Sequence, residues 1–323
     1  MINSGLGLMS KLVEDYKASA KRLADFAERH TGFDNLDGTG EFAEFRGDGQ
    51  LQIFAPAIYA LGGTSSCGKT TFTLQLLNNL AKRGVPCLFV SYEMSPFALL
   101  RKLAAHLLYK KKNANEGGIL ITSANILRAG LTNEDVNAVF AELADNEQNL
   151  RIVGVDWEVG ALDKELRTFC AGCTVAPVIA IDYLQLVPDK NFQSAKDRID
   201  NMLVVLRKFQ SDTDATLIIL SAFNRSSELK DGATLSSFKE SGAIEYTADV
   251  VWALEPARQN DETASTADKR MRSEKIRGMQ LRCLKNREGA LYDAYFRYNA
   301  AYDTFEACNQ SKAFEVVNRK LCK

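Results

Sequence analysis

Long hydrophobic runs are missing from this 323-residue chain. No stretch comes near the roughly 18 consecutive apolar residues that span a bilayer. The opening MINSGLGLMSKLVEDYK has neither the basic flank, the apolar core nor the small-residue cleavage site of a signal peptide. No membrane partner is expected, and a cytoplasmic location is. An excess of one charge is missing too, since 40 basic side chains face 41 acidic ones for a net charge of −1. Such a chain does not attract polyanions as a whole, so contact with nucleic acid has to come from a local patch. Histidine is scarce, at 2 residues, and so is proline, at 6. The 7 cysteines, an odd number scattered between Cys67 and Cys322, read as reduced thiols rather than a disulfide framework. Cys170 and Cys173 form a CxxC, but no second pair accompanies it to complete a tetrahedral zinc site, so it reads as two free thiols.

What is present is ordinary globular material, 46% hydrophobic and 25% charged. At about 150 residues per domain, the length suits two domains or one large α/β unit with appendages. Residues 7–29 carry Leu8, Leu12, Tyr16, Leu23 and Ala27 at helical spacing among charged residues, the pattern of an amphipathic helix that must dock on something. Residues 31–50, dense in Gly and Asp, read as a connector. Beyond them apolar strand candidates at 58–61, 87–91, 178–182 and 216–221 alternate with helical stretches. One of these helices has Ser95 as cap and Pro96 at its first position. The alternation predicts a mostly parallel central sheet flanked by helices. Residues 256–277 have almost no large apolar groups and read as a mobile polar insertion. After them the chain reads as a β-hairpin, strand, turn, strand, with Glu288-Gly289 at the turn.

The strongest local signal is the run Gly63, Thr64, Ser65, Ser66, Cys67, Gly68, Lys69, Thr70, which fits GxxxxGK(S/T) at every fixed position. A strand enters it and a helix leaves it, so backbone N–H groups and a helix N-terminus converge where phosphates can sit. Gly63 and Gly68 permit the tight wrap, Lys69 can reach β- and γ-phosphates, and the Thr70 hydroxyl can ligate Mg²⁺. ATP is the expected ligand, with Thr71 added to the binding set. Asp182, ending the strand 178–182, reads either as a second Mg²⁺ ligand at the sheet's C-terminal edge or as a helix N-cap. Glu93, just past the strand 87–91, reads either as the group that activates water or as a solvated loop carboxylate.

Beyond the loop, SYEMSPFALLRKLAAHLL, IDYLQLV, SAFNRSSE, FKESGAIEYTADVVWAL and LKNREG follow one another in an order that resembles the replicative hexameric DNA helicases of the DnaB type, over roughly residues 30–306. The resemblance implies a RecA-like ATPase core, 31–323, a ring of six subunits, and ATP-driven translocation on single-stranded DNA during replication. It implies Glu93 as catalytic glutamate and Asp182 as metal-holding aspartate. Lys285 with Arg287 would be the pair that a neighbouring subunit inserts toward the γ-phosphate, although Arg287 also reads as a surface Arg paired with Glu288 or another carboxylate. Asn224, Arg225, Lys239, Glu240 and Gly242 fall in segments that would touch DNA. Residues 1–30 sit where the family has a linker helix, which packs on the adjacent subunit or on its own core. Primase or a helicase loader are implied partners.

Three departures stand out. Ala222 in LSAFNR replaces the family's usual Gln, so a γ-phosphate contact is absent or made elsewhere. Lys239 replaces the usual Arg, which keeps the charge and loses bidentate geometry. Only about 60 residues precede the loop, leaving no room for the family's N-terminal helical domain. The rival readings are a recombinase or signalling ATPase on the same core, and a nucleotide-gated loader that binds DNA without unwinding it.

Overall fold

The computed structural model describes residues 29–45, 56–114, 119–129, 132–223, 232–238, 241–258 and 262–318, with Met9, Lys11, Val13, Glu14 and Lys17 near the start. Its centre is β1 (Ile58–Gly63), buried along its whole length. Tyr59 and Leu61 join one hydrophobic core and Ile58 and Ala60 another, the two-residue period of a strand covered on both faces. β2 (Cys87–Ser91), β3 (Leu150–Gly154), β4 (Val178–Asp182), β5 (Thr216–Ala222) and β6 (Val250–Pro256) run parallel to it. β7 (Ile276–Asn286), β8 (Asp293–Asn299) and β9 (Thr304–Cys308) extend the sheet antiparallel. The order across the nine strands is β3-β2-β4-β5-β1-β6-β7-β8-β9.

Helices cover both faces. α1 (Asp34–Asp37) precedes the sheet, and α2 (Lys69–Ala81) follows β1. α3 (Pro96–Asn113), α4 (Ser123–Ala129) and α5 (Glu134–Asp145) join β2 to β3 on the same face as α2. α6 (Val159–Ala171), α7 (Ala195–Thr213) and α8 (Ser241–Thr247) cover the other face. α9 (Ala264–Ser273) links β6 to β7, and α10 (Gln310–Asn318) follows β9. Ser95 caps α3 as the sequence predicts, and the side chains of Asn133, Ser194 and Thr263 likewise accept from backbone N–H groups in the first turns of α5, α7 and α9. The antiparallel strands are bound to the first core by aromatic contacts. Phe72 of α2 meets Phe33, Phe296 and Phe305 at ring separations of 5.1, 5.5 and 5.5 Å, in the stacked and edge-on arrangements that aromatic quadrupoles favour.

The structure departs from the sequence reading in several places. Residues 31–45 are more than a connector, because Phe33 and Leu36 are buried in the core and Phe42 is buried too. β3, an edge strand with an exposed Arg151, is not legible from an apolar run, and β6, the wholly buried run VVWALEP, is a further strand beyond the candidates. The C-terminal hairpin gains a third strand, β9, because Asp303 at positive φ turns the chain back once more. The expected mobile insertion 256–277 instead contains α9. Thr263 caps it and Ala267 and Met271 are fully buried, while Arg270 ion-pairs with both Glu262 and Glu274. Its apolar face is only Ala267 and Met271, one helical turn apart, too sparse to register as a periodic pattern. Apart from Arg29 and the five isolated positions, the expected helix 7–29 lies outside the described residues; those five are helical and exposed.

Candidate active site

The loop between β1 and α2 is shaped by Gly68, whose φ of +97° belongs to the left-handed region that glycine occupies at no cost. A Cβ there would also meet the Phe305 ring at 2.8 Å. Gly68 caps α2 without any side-chain bond, so first-turn N–H groups remain available to an anion. Lys69 Nζ donates to the carbonyls of Gly63 (2.9 Å) and Thr64 (3.1 Å), folding the ammonium over the loop. Ser65 and Ser66 are exposed at its tip, whereas Cys67 is buried beneath it. Thr71, expected in the binding set, is buried with its hydroxyl donating to Asp303 at 3.2 Å, so its side chain faces the core and not the loop.

Asp182 ends β4 with 1% exposure, and its Oδ2 accepts from the Thr70 hydroxyl at 2.7 Å. Burial raises its pKa to about 6; the Thr70 hydrogen bond opposes this, nearby Glu93 adds to it, and Lys69 opposes it. A buried carboxylate short of positive charge, joined to a threonine hydroxyl, is a donor set suited to a hard divalent cation. Asp182 caps no described helix, because the chain continues through Tyr183 into a short 3-10 turn. Ser91 lies opposite Asp182 in register, and Tyr92 N–H donates to the Asp182 carbonyl at 2.7 Å. Glu93, one residue on, is exposed at the same sheet edge. Gly63 pairs with Ala222 on β5, so a methyl group stands beside the start of the loop. The neighbouring Ser221 hydroxyl accepts from Gln185 Nε2 at 2.8 Å, and Gln185 Oε1 is buried without a partner.

The loop also has contacts that sequence reasoning missed. Thr64 Oγ1 donates to Asp268 of α9 at 2.7 Å, and Arg277 Nη1 donates to the Ser66 carbonyl at 2.7 Å. Both residues come from the segment read as a mobile insertion, and neither sits in a motif. Gln185, by contrast, lies inside IDYLQLV and could have been singled out there.

Lys285 and Arg287 lie at the other end of the sheet. Asp249 N–H donates to the Ile58 carbonyl at 2.8 Å, its Oδ2 accepts from Ile58 N–H at 2.9 Å, and its Oδ1 takes Arg207 at 2.9 Å and Arg287 at 3.0 Å. The partner of Arg287 is therefore Asp249 rather than Glu288. Lys285 Nζ donates to the Glu245 and Ala248 carbonyls at 2.5 and 2.7 Å; burial and the Arg287 charge lower its pKa. Leu254, the β6 residue opposite Gly63, follows Asp249 by five positions. At about 3.3 Å per residue the two edges are roughly 17 Å apart. Lys285 and Arg287 are thus not brought to this chain's own loop.

Of the residues expected to meet DNA, Asn224, Arg225, Lys239 and Glu240 lie outside the described residues. Gly242 is exposed in α8. The flanks of these segments are joined by an antiparallel bridge between Phe223 and Phe238, whose rings meet edge-on at 5.2 Å. That pair packs on Gly62, where a Cβ would come within 2.3 Å of Phe223 and 2.5 Å of Phe238.

A parallel sheet with a phosphate-type loop after β1, a buried aspartate on β4 and a glutamate after β2 defines a RecA-like nucleoside triphosphatase. The chain belongs to the DnaB-like helicase C-terminal domain family, whose model matches residues 31–307, and it is accordingly an ATP-hydrolysing domain of replicative-helicase type. Its fold is similar to that of the "ATPase Domain of G40P", with TM-score 0.71 and 21% identity over 95% of this chain and 100% of the other. A DnaB-like replicative helicase solved for its interactions with primase gives TM-score 0.70 and 21% identity over 95% and 68%. A KaiC-like protein, PH0186 from Pyrococcus horikoshii OT3, gives TM-score 0.53 and 16% identity over 87% and 97%. Among curated proteins none matches the sequence. Among the described residues no helix is long and apolar enough to cross a membrane.

Proposed function

We propose that the chain is the motor of a ring-forming, most simply hexameric, DNA helicase that acts in the cytoplasm during replication. The observation that carries this is the placement of the loop 63–70 and of Arg287 at opposite ends of one rigid sheet. A site that needs both is then completed only by a second copy joined head to tail, and such heterologous contacts form a ring where the rotation between copies closes. ATP binds with its phosphates on the loop and the α2 N-terminus, with Lys69 leaving the Gly63 and Thr64 carbonyls to meet them. Glu93 orients and deprotonates the attacking water, and Arg287 of the adjacent copy, steadied by Lys285, meets the charge that builds on the transferred phosphoryl group. Thr70 and Asp182 would hold Mg²⁺, which supplies charge neutralisation at the phosphates when bound.

Hydrolysis is passed to DNA through the Phe223–Phe238 bridge, which stands on Gly62 of the strand that enters the loop. Asn224, Arg225, Lys239 and Glu240 follow these two phenylalanines directly, and Gly242 opens the helix after them. Contacts from such loops to sugar and phosphate carry no base information and weaken with salt. Primase or a loader is the natural further partner, as a relative was solved for its interactions with primase. The test is strand displacement: the protein with ATP and Mg²⁺ should unwind a forked duplex, and Lys69→Ala should not. Ala222 favours a second reading, a nucleotide-gated binder that holds DNA without unwinding; ATP-dependent DNA binding with no displacement would select it.

A further inference from the structure

The sequence treats α9 as filler, but its contacts aim at the phosphate loop. Arg270 fixes the helix in place. It pairs with Glu262 at 2.9 Å and Glu274 at 3.3 Å, and it donates to the Ala257 carbonyl at 2.9 Å, while Ala267 and Met271 are fully buried against the body. A helix held this way presents Asp268 at a defined place. One carboxylate oxygen takes the Thr64 hydroxyl at 2.7 Å and the other takes Arg272 at 2.8 Å. Thr64 is also where Lys69 Nζ rests, at 3.1 Å from its carbonyl. The ammonium that meets the outer phosphates and the Asp268 carboxylate therefore flank the same residue. Both charges reach the buried Cys67 thiol under the loop: burial pushes that thiol up, Lys69 pulls it down and Asp268 adds to the rise.

We infer that Asp268 is a specificity-determining residue of this nucleotide site, a fixed negative charge on the γ-phosphate side of the loop that disfavours a nucleoside triphosphate relative to the diphosphate. The inference rests on the reading that the loop 63–70 cradles the phosphates. A carboxylate beside Thr64 acts most on the phosphate nearest the lysine and least on those nearer the helix N-terminus. Arg272, the exposed partner of Asp268, offsets part of this charge, so the pair sets the balance between substrate and product. Because α9 is anchored by Arg270 rather than by the loop, nucleotide entry does not remove the charge.

The experiment is competition of a non-hydrolysable ATP analogue and of ADP against a fluorescent ADP, at fixed ionic strength with Mg²⁺. Asp268→Asn keeps an acceptor for Thr64 and removes the charge. It should tighten the triphosphate roughly five- to tenfold and the diphosphate by less than about twofold, as expected for one unit charge in a partly solvated site. Asp268→Glu keeps the charge and should keep the wild-type ratio. Arg272→Gln should move the ratio the opposite way, so that the inference is tested even if Asp268→Asn fails to fold. Equal shifts for both nucleotides, or no shift, would overturn it. If Lys69→Ala still binds both nucleotides, the loop is not the phosphate site, and that distinct result sinks the underlying reading instead.

Discussion

Replacing Arg287 by Ala leaves the loop 63–70 untouched and removes the cation assigned to the neighbouring copy's phosphoryl group. About 17 Å of strand separates the two edges, more than an arginine side chain spans, and in the single chain the guanidinium is occupied by Asp249. ATP binding should therefore stay near wild type, while turnover falls by roughly 10³- to 10⁵-fold, the worth of such arginines in other triphosphatases. Mixing makes the prediction sharp. Arg287→Ala subunits keep an intact loop and Lys69→Ala subunits keep an intact arginine; each preparation alone is inactive. At equal proportions, an interface joins an intact loop to an intact arginine with probability one half times one half, so about one interface in four is complete. If interfaces fire independently, steady-state ATPase should recover to roughly a quarter of wild type, and strict sequential firing would lower that figure. No recovery in mixtures shown by native mass spectrometry to co-assemble would refute the trans assignment.

Other outcomes follow from the same geometry. Lys69→Ala should lose nucleotide binding in an equilibrium titration, whereas Glu93→Gln should bind normally and turn over about 10² to 10⁴ times more slowly; unchanged turnover removes Glu93 as the base. Because the pKa of Asp182 is raised to about 6 in the folded chain, the native state binds a proton that the unfolded state has already released between about pH 4 and 6. The nucleotide-free protein should lose stability as pH rises through that window, on the order of 3 kcal/mol. Asp182→Asn should flatten the urea midpoint against pH, and an equally steep profile in that variant would be the contrary result. Met271→Ala, which empties a fully buried position under α9, should cost roughly 2–4 kcal/mol in denaturant melts. It should also raise hydrogen exchange in α9; exchange unchanged there would mean the helix is held by Arg270 alone.

The parts of the fold that were legible in the sequence are those where local pattern and tertiary role coincide. The runs at 87–91 and 178–182 are apolar because parallel strands in this position are buried on both faces, and they fold where expected. Ser95-Pro96 is a helix start by its own chemistry, and the structure uses it as one. The loop could be read because an unusual backbone demands glycine at fixed places. What stayed hidden depends on long-range partners. β3 is half-exposed at the sheet edge, so no apolar run marks it. α9 is held by buried Met271 and by Arg270 bridging Glu262 and Glu274, the latter of which a composition scan sees only as charge. Asp268 touches a loop 204 residues away, and nothing local announces that. Asp249 looks like a strand-flanking residue until the sheet brings Ile58, Arg207 and Arg287 to it.

Asp249 has a mechanical consequence. It grips the first residue of β1 by a main-chain bond and a side-chain bond at once, and the same carboxylate holds Arg287. β1 then passes between β5 and β6, paired on both sides, and ends at Gly63 where the loop begins. On the proposed reading the strand would act as a pushrod, one end feeling the nucleotide of its own copy and the other steering the arginine offered to the next. In a ring, such rods joined end to end would form a closed transmission, so that the loading of one site sets the timing of its neighbour. Cutting the linkage with Asp249→Asn should leave each site able to bind ATP yet lower the Hill coefficient of hydrolysis, since the sites would then fire out of phase.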